Sequence, residues 1–296
     1  MTKKVINTII LCLCLPFILY GKPVSVDEIF TPKRQFKLIG SFSYINLLRK
    51  DTSMQSVPVQ MSDSTFINIP FVGYQHTNQD YLTLSFNARY GIHSRVELFS
   101  IIYGFWQQSH IQSANGTFST QSNGDFSTMN LGFLIEAKKE GKVPALFIGG
   151  NADIIEQVYF SRTQKSLQYG KGYSLFALSF YTIDPIVFLL QAQYRFNLPK
   201  SFEDRNIHNG DVFVLSPMIY FAINPYVSLN AGVKYQYQSK DKLNSSTISY
   251  AASSVGYVFG VAYEIKSRFI VFTDVETFNT LSYSSNTINL SFSHRI

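Results

Sequence analysis

One stretch limits what this chain can fold into: Gly172 to Pro199 holds two alternating segments of about a dozen residues that meet at Asp184-Pro185. In the second segment Phe188, Leu190, Ala192, Tyr194 and Phe196 fall on one parity, and Gln191, Gln193 and Arg195 on the other. That is the period of a strand with one oily and one wet face. In the first segment Phe176, Leu178 and Phe180 form the oily face, with Ser179 and Tyr181 opposite. Pro185 lacks an N–H and has a fixed φ, which suits a tight turn, and Asp184 can bond the turn backbone. The unit reads as a membrane hairpin.

The unit recurs. Strands are expected at Phe36 to Leu47, Tyr81 to Tyr90, Val96 to Gln107, Asp125 to Lys138, Pro144 to Tyr159, Tyr173 to Thr182, Ile186 to Phe196, Val212 to Ala222, Tyr226 to Gln238, Ser254 to Ile265, Phe269 to Phe278 and Thr287 to Arg295. Short connections (such as Gly91 to Arg95 and Ile223 to Pro225) alternate with long ones rich in Ser, Asn and Gly (such as Ser109 to Gly124 and Ser161 to Gly172). Short periplasmic turns against long extracellular loops are the asymmetry of outer-membrane barrels. Ser64 to Tyr74 also has strand character, but an even count with both termini periplasmic assigns it to the first extracellular loop, as a hairpin extension above the membrane. The expected fold is all-β: a transmembrane antiparallel up-and-down β-barrel of about 12 strands over residues 36–296, in a Gram-negative outer membrane.

The N-terminus opens with Lys3 and Lys4, an apolar run from Ile9 to Leu19 containing Pro16, and Tyr20-Gly21. The run is too short for a spanning helix, which needs roughly 20 apolar residues, so 1–21 reads as a signal peptide. Residues 22–35 form a short polar segment, a periplasmic tail or a lumen insert. Cys12 and Cys14 both fall in the signal, which leaves no thiol for a disulfide or metal site. Losing Lys3 and Lys4 lowers the formal charge of +6 by two, to +4, too mild a balance to imply nucleic acid. Aromatic residues at 16% against charged residues at 15% would make an oily surface on a soluble domain and suit a lipid-facing one.

Thr31-Pro32-Lys33 leading into Phe36-Lys37-Leu38 and Ser43-Tyr44, then Arg89-Tyr90-Gly91-Ile92 with Arg95-Val96-Glu97-Leu98, form an ordered series that continues through Gly124-Asp125, Pro144-Ala145, Asp184-Pro185 with Tyr194, and Asn209-Gly210-Asp211. The series resembles the outer-membrane transporter family named for the meta-cleavage pathway of phenol degradation, over essentially the whole mature chain. Tyr103-Gly104-Phe105 and the final Ile296 depart from that pattern. The resemblance implies a barrel for small, often aromatic or hydrophobic molecules.

Inward positions carry the candidate chemistry. Asp153, Arg195, Lys234, Asp274 and Glu276 are placed along the middle and outer lumen, and Arg89 and Glu264 at its periplasmic end with Lys37, Glu97 and Glu136. They read either as a charged constriction that selects solutes or, more plainly, as a network that satisfies itself and fills the lumen. Tyr181 is placed inward, where it could stack a solute or fill space. Other inward positions are mostly Ser, Thr, Asn, Gln and Gly, which favours polar solutes and pulls against the resemblance. Tyr90, Tyr194, Tyr226, Tyr235 and Tyr263 read as interface girdle residues. No cofactor, metal or catalytic site is expected: the histidines are scattered, and His110 with Ser113 and Asn115 lacks the His-x-Ser-Asn-Gly spacing of barrel lipid hydrolases. The function expected is passive passage of small molecules, with a closed structural or surface-interaction barrel as the alternative and a lipid hydrolase far behind. The partners are outer-membrane lipid, the barrel-assembly machinery and a small-molecule solute.

Overall fold

The structure is a computed structural model that describes residues 29–50, 56–70, 77–112, 118–159, 165–203, 205–266, 268–281 and 283–296. The signal segment 1–21 and the first part of 22–35 lie outside the described residues, as do the last residues of Ser64 to Tyr74. The strands, in order, are β1 (Phe36–Arg49), β2 (Ser56–Gln60), β3 (Phe66–Pro70), β4 (Asn78–His93), β5 (Val96–Gln112), β6 (Phe118–Lys138), β7 (Ala145–Tyr159), β8 (Lys165–Tyr169), β9 (Gly172–Ile183) and β10 (Ile186–Asn197). They continue with β11 (Lys200–Phe202), β12 (Arg205–His208), β13 (Val212–Asn224), β14 (Val227–Gln238), β15 (Asp241–Leu243), β16 (Ser246–Ser249), β17 (Ala252–Lys266), β18 (Phe269–Asn279) and β19 (Tyr283–Arg295).

Twelve of these close into an antiparallel barrel in the order β1-β4-β5-β6-β7-β9-β10-β13-β14-β17-β18-β19, with β19 returning to β1. The seam runs from Lys37 opposite Arg295 to Arg49 opposite Tyr283, and Phe36 and Ile296 exchange backbone hydrogen bonds beyond it. Closure is obligatory in lipid, where an open edge would leave backbone groups unsatisfied. β8 is not a further stave: it continues β9 along the same edge of β7, past Gly170. The connections expected as plain loops at Ser109 to Gly124 and Ser161 to Gly172 instead prolong β5 and β6 and contain β8, and β11, β12, β15 and β16 form a small separate sheet from the two neighbouring long connections.

Alternation sets the two faces. Phe42, Leu84, Phe86, Leu98, Phe188, Leu190, Phe259 and Ile288 are exposed on the outside of the ring, while Ser43, Ser85, Glu97, Gln193 and Asn289 are buried inside it. The expected interface tyrosines Tyr194, Tyr226, Tyr235 and Tyr263 are likewise outward and exposed.

The first long connection departs most from expectation. β2 and β3 pair as a hairpin, but it enters the lumen and does not extend above the membrane. At its tip Ser64 adopts φ +65°; its carbonyl accepts from Gln193 Nε2 (2.8 Å) and Asn151 Nδ2 (3.0 Å), and its hydroxyl accepts from Gln191 Nε2 (2.8 Å). Asp63 accepts from Tyr103 OH at 2.7 Å. These bonds hold a backbone conformation that would otherwise cost about 1–3 kcal/mol. Val57, Ile67 and Ile69 of the hairpin pack with Ile101, Tyr103, Phe105, Phe147 and Phe176 in one hydrophobic cluster, where burying each large aliphatic side chain contributes about 1.5–3 kcal/mol. A pure polar lumen is therefore overturned: one half of the inner wall is apolar because it packs an apolar insert.

The segment before β1 closes the short-turn end. Thr31 N donates to Glu97 Oε2 at 2.6 Å, Arg34 N to Gly91 O at 2.7 Å, and the Phe30 ring lies 6.0 Å from that of Phe147. Residues 29–35 are thus held against the short-turn ends of β4, β5 and β7.

Candidate functional site

Between the hairpin tip, the N-terminal segment and the far wall of β13, β14, β17, β18 and β19 lies a cavity of about 290 Å³. Phe99, Leu134, Phe176, Leu178 and Leu189 line it on one side with Met61 of the hairpin; Ser216, Asn230, Lys234, Asp274, Glu276 and Asn289 line it on the other. The two sides come from different halves of the barrel, so the cavity is amphipathic by construction.

The candidate residues distribute as follows. Arg89 lines the cavity at the short-turn end and pairs with buried Glu97. Asp153 and Arg195 form a fully buried ion pair, with Arg195 Nε also donating to Asn197 Oδ1 at 2.9 Å and its guanidinium 5.3 Å from the Phe66 ring of the hairpin. Gly172 makes this pair fit, since a Cβ there would lie 2.1 Å from Asp153 Oδ2. Next to it Lys200 Nζ donates to Glu156 Oε1 at 2.7 Å, and Asn68 Nδ2 of β3 donates to the same oxygen at 2.7 Å. This cluster clamps the hairpin to β7, β10 and the small outer sheet. Lys234 pairs with Glu276 at 2.6 Å on the cavity wall, and Asp274 accepts from Asn289 Nδ2 at 2.7 Å. Glu264, on β17, is half-buried at the inward parity near the short-turn end.

Tyr181 is a correction. It stands opposite Phe188, which is exposed on the outer face, so Tyr181 also lies outside and cannot line the lumen. Phe176, Leu178 and Phe180 are the inward set of β9, facing Gln193, Gln191 and Leu189 respectively, and Ser179 points outward with Tyr181. An oily parity normally faces lipid, but the apolar hairpin gives β9 an oily interior as well. Sequence reasoning missed Ser64, Gln191, Ser216 and Asn289 as site residues; the inward parity of the last three was legible, but not what they would meet, and nothing local placed Ser64 in the lumen.

The fold is that of a Gram-negative outer-membrane barrel. Among solved structures the chain is similar to an outer membrane channel from Pseudomonas putida F1, with a TM-score of 0.64 at 9% identity over 91% of this chain and 98% of that one. It is also similar to the translocator domain of the autotransporter NalP from Neisseria meningitidis, with a TM-score of 0.52 at 8% identity over 92% of each chain. No family model and no curated protein matches the chain. One barrel architecture thus serves a channel and a translocator, and function has to be argued from the lumen.

For hydrolysis the described residues offer little. His110 sits 3.6 Å from Asp80 and 3.3 Å from Thr120 Oγ1, and the Ser113 and Asn115 considered with it lie outside the described residues. No group of three metal-ligating side chains occurs among the described residues.

Proposed function

We propose that this barrel is a passive outer-membrane channel for small, largely apolar molecules. The observation that carries the reading is the apolar wall of Phe99, Leu134, Phe176, Leu178 and Leu189 inside the barrel, bordering the cavity of about 290 Å³. The part of that wall left uncovered by the hairpin suits an apolar body, and a cavity of this size takes one small solute at a time. Twelve strands fall between the filled or single-ligand lumen of 8 and the aqueous channel of 16 to 18, which fits a narrowed path. The meta-pathway resemblance points to the same solute class.

A second reading, a closed structural barrel, draws on the hairpin and on the clamped Asp153, Arg195, Glu156 and Lys200 cluster that fills the loop end. Uptake in a porin-poor Gram-negative host separates the two. Cells expressing the protein should take up a monocyclic aromatic faster than cells without it and gain no disaccharide permeability. Equal gains for both solutes point to a general porin, and no gain for either to a closed barrel.

A further inference from the structure

The lining of the cavity holds buried acceptors that no donor reaches. Asn289 Nδ2 donates to Asp274 Oδ1, which fixes the amide orientation and leaves Asn289 Oδ1 as an acceptor; that atom is buried and has no partner. Asn87 Oδ1, a second acceptor, and Ser216 Oγ, a hydroxyl that can accept or donate, line the same cavity, are buried and also lack partners, as does the Arg89 Nε donor at the short-turn end. Three of these side chains are more than nine-tenths buried, with exposures of 6% for Asn289, 2% for Asn87 and 6% for Ser216. Lys234, the cation on this wall, is already engaged by Glu276. Asp274 has no cation within ion-pair distance among the described residues, and its hydrogen bond comes from the Asn289 amide alone. Gly260 keeps this floor open: a Cβ there would lie 2.6 Å from Asn230 Oδ1 and 3.0 Å from Asp274 Cβ. Buried acceptors without donors are costly, and a carboxylate without a counter-ion more so, unless a guest supplies what is missing.

We infer that the cavity is a binding site for small amphiphiles whose apolar body carries a hydrogen-bond-donating head, neutral or cationic, and that Asp274 and Asn289 receive that head. The inference rests on the channel reading for the route by which a solute arrives. The body lies against Phe99, Leu134, Phe176 and Leu178, and the head reaches Asp274 Oδ2 and Asn289 Oδ1. Two carboxylates against one ammonium make this wall net negative, so an anionic head on the same ring is rejected.

The test uses the refolded full-length mature barrel held in amphipol and four probes sharing one ring: toluene, benzyl alcohol, benzylamine and benzoate. Titrations followed by ligand-observed NMR should give benzyl alcohol and benzylamine affinities at least about tenfold above that of benzoate. Asp274→Asn should lower benzylamine affinity about tenfold, and Asn289→Leu should lower that of benzyl alcohol, while toluene stays within about twofold in both. Retained heat-modifiable gel mobility shows that each variant is folded, and either variant alone suffices. The inference is overturned if benzoate binds as well as benzylamine, if neither variant changes the order, or if no probe binds. Because uptake is measured separately, a barrel that transports aromatics without this preference loses the head-group site but keeps the channel. One that binds with this preference but transports nothing keeps the site and loses the channel.

Discussion

Arg195 and Asp153 are taken out of water together, and their mutual attraction offsets a desolvation cost of several kcal/mol per ion only because Asn197 and the Phe66 face complete the guanidinium's contacts. Removing one partner leaves a bare buried charge. Arg195→Met should therefore destabilise the barrel by about 3–5 kcal/mol in urea unfolding, whereas Arg195→Met combined with Asp153→Leu should cost clearly less. A double variant as damaged as the single one would mean that the pair stabilises the fold outright. Tyr181 gives the opposite case: as it faces outward, Tyr181→Ala should leave the solute preference unchanged, and an altered preference in the uptake assay would return it to the lumen.

On β14, Val227, Leu229, Ala231, Val233 and Tyr235 face out while Asn230, Lys234 and Gln236 face in, as their alternation requires. A lipid-facing Arg near the midplane costs about 2–4 kcal/mol, so Ala231→Arg should impair folding much more than Asn230→Arg, scored by heat-modifiable gel mobility. β19 closes the ring through Ile296 and Phe36, so deleting Thr287 to Ile296 should abolish the folded barrel, and Ile296→Phe should be tolerated because that position is exposed. In the small outer sheet, burial raises the Asp241 carboxyl above its ordinary range, against the pull of the Gly210 N–H and the Gln238 side chain. A folded pKa above the unfolded one means the protonated form fits the fold better. Its contribution is then full below the unfolded pKa of about 3.9 and is lost as pH rises through the folded one. Limited proteolysis of the outer sheet should accordingly be slower at about pH 4 than at neutral pH, and Asp241→Asn should flatten that difference.

At the scale of the molecule, the β2–β3 hairpin enters the lumen and residues 29–35 are held at the short-turn end, which leaves the cavity between them. Removing residues 56–70 takes away the apolar insert but none of the staves. The shortened protein should still assemble and should show single-channel conductance well above that of the full chain. Unchanged conductance would mean that the hairpin does not set the bore.

The chain by itself determined the number of staves, their direction and most of their facing. Strand period, Pro and Gly turns and an even count are local properties that lipid enforces from outside. It also determined that Asp153, Arg195, Lys234 and Asp274 point inward. The facing of β9 was within its reach too: the tight turn at Asp184-Pro185 sets Phe176 opposite Gln193, and the clear alternation of β10 already made Gln193 inward. Only the tertiary structure decided what fills the lumen. Whether a strand-like segment in the first connection stands above the membrane or folds back inside depends on apolar partners from β5, β7 and β9, which the curvature of the ring gathers around it. Closure of the ring brings Asp274 and Asn289 to face Phe176 across one cavity, because it sets β18 and β19 on the other side of the lumen from β9.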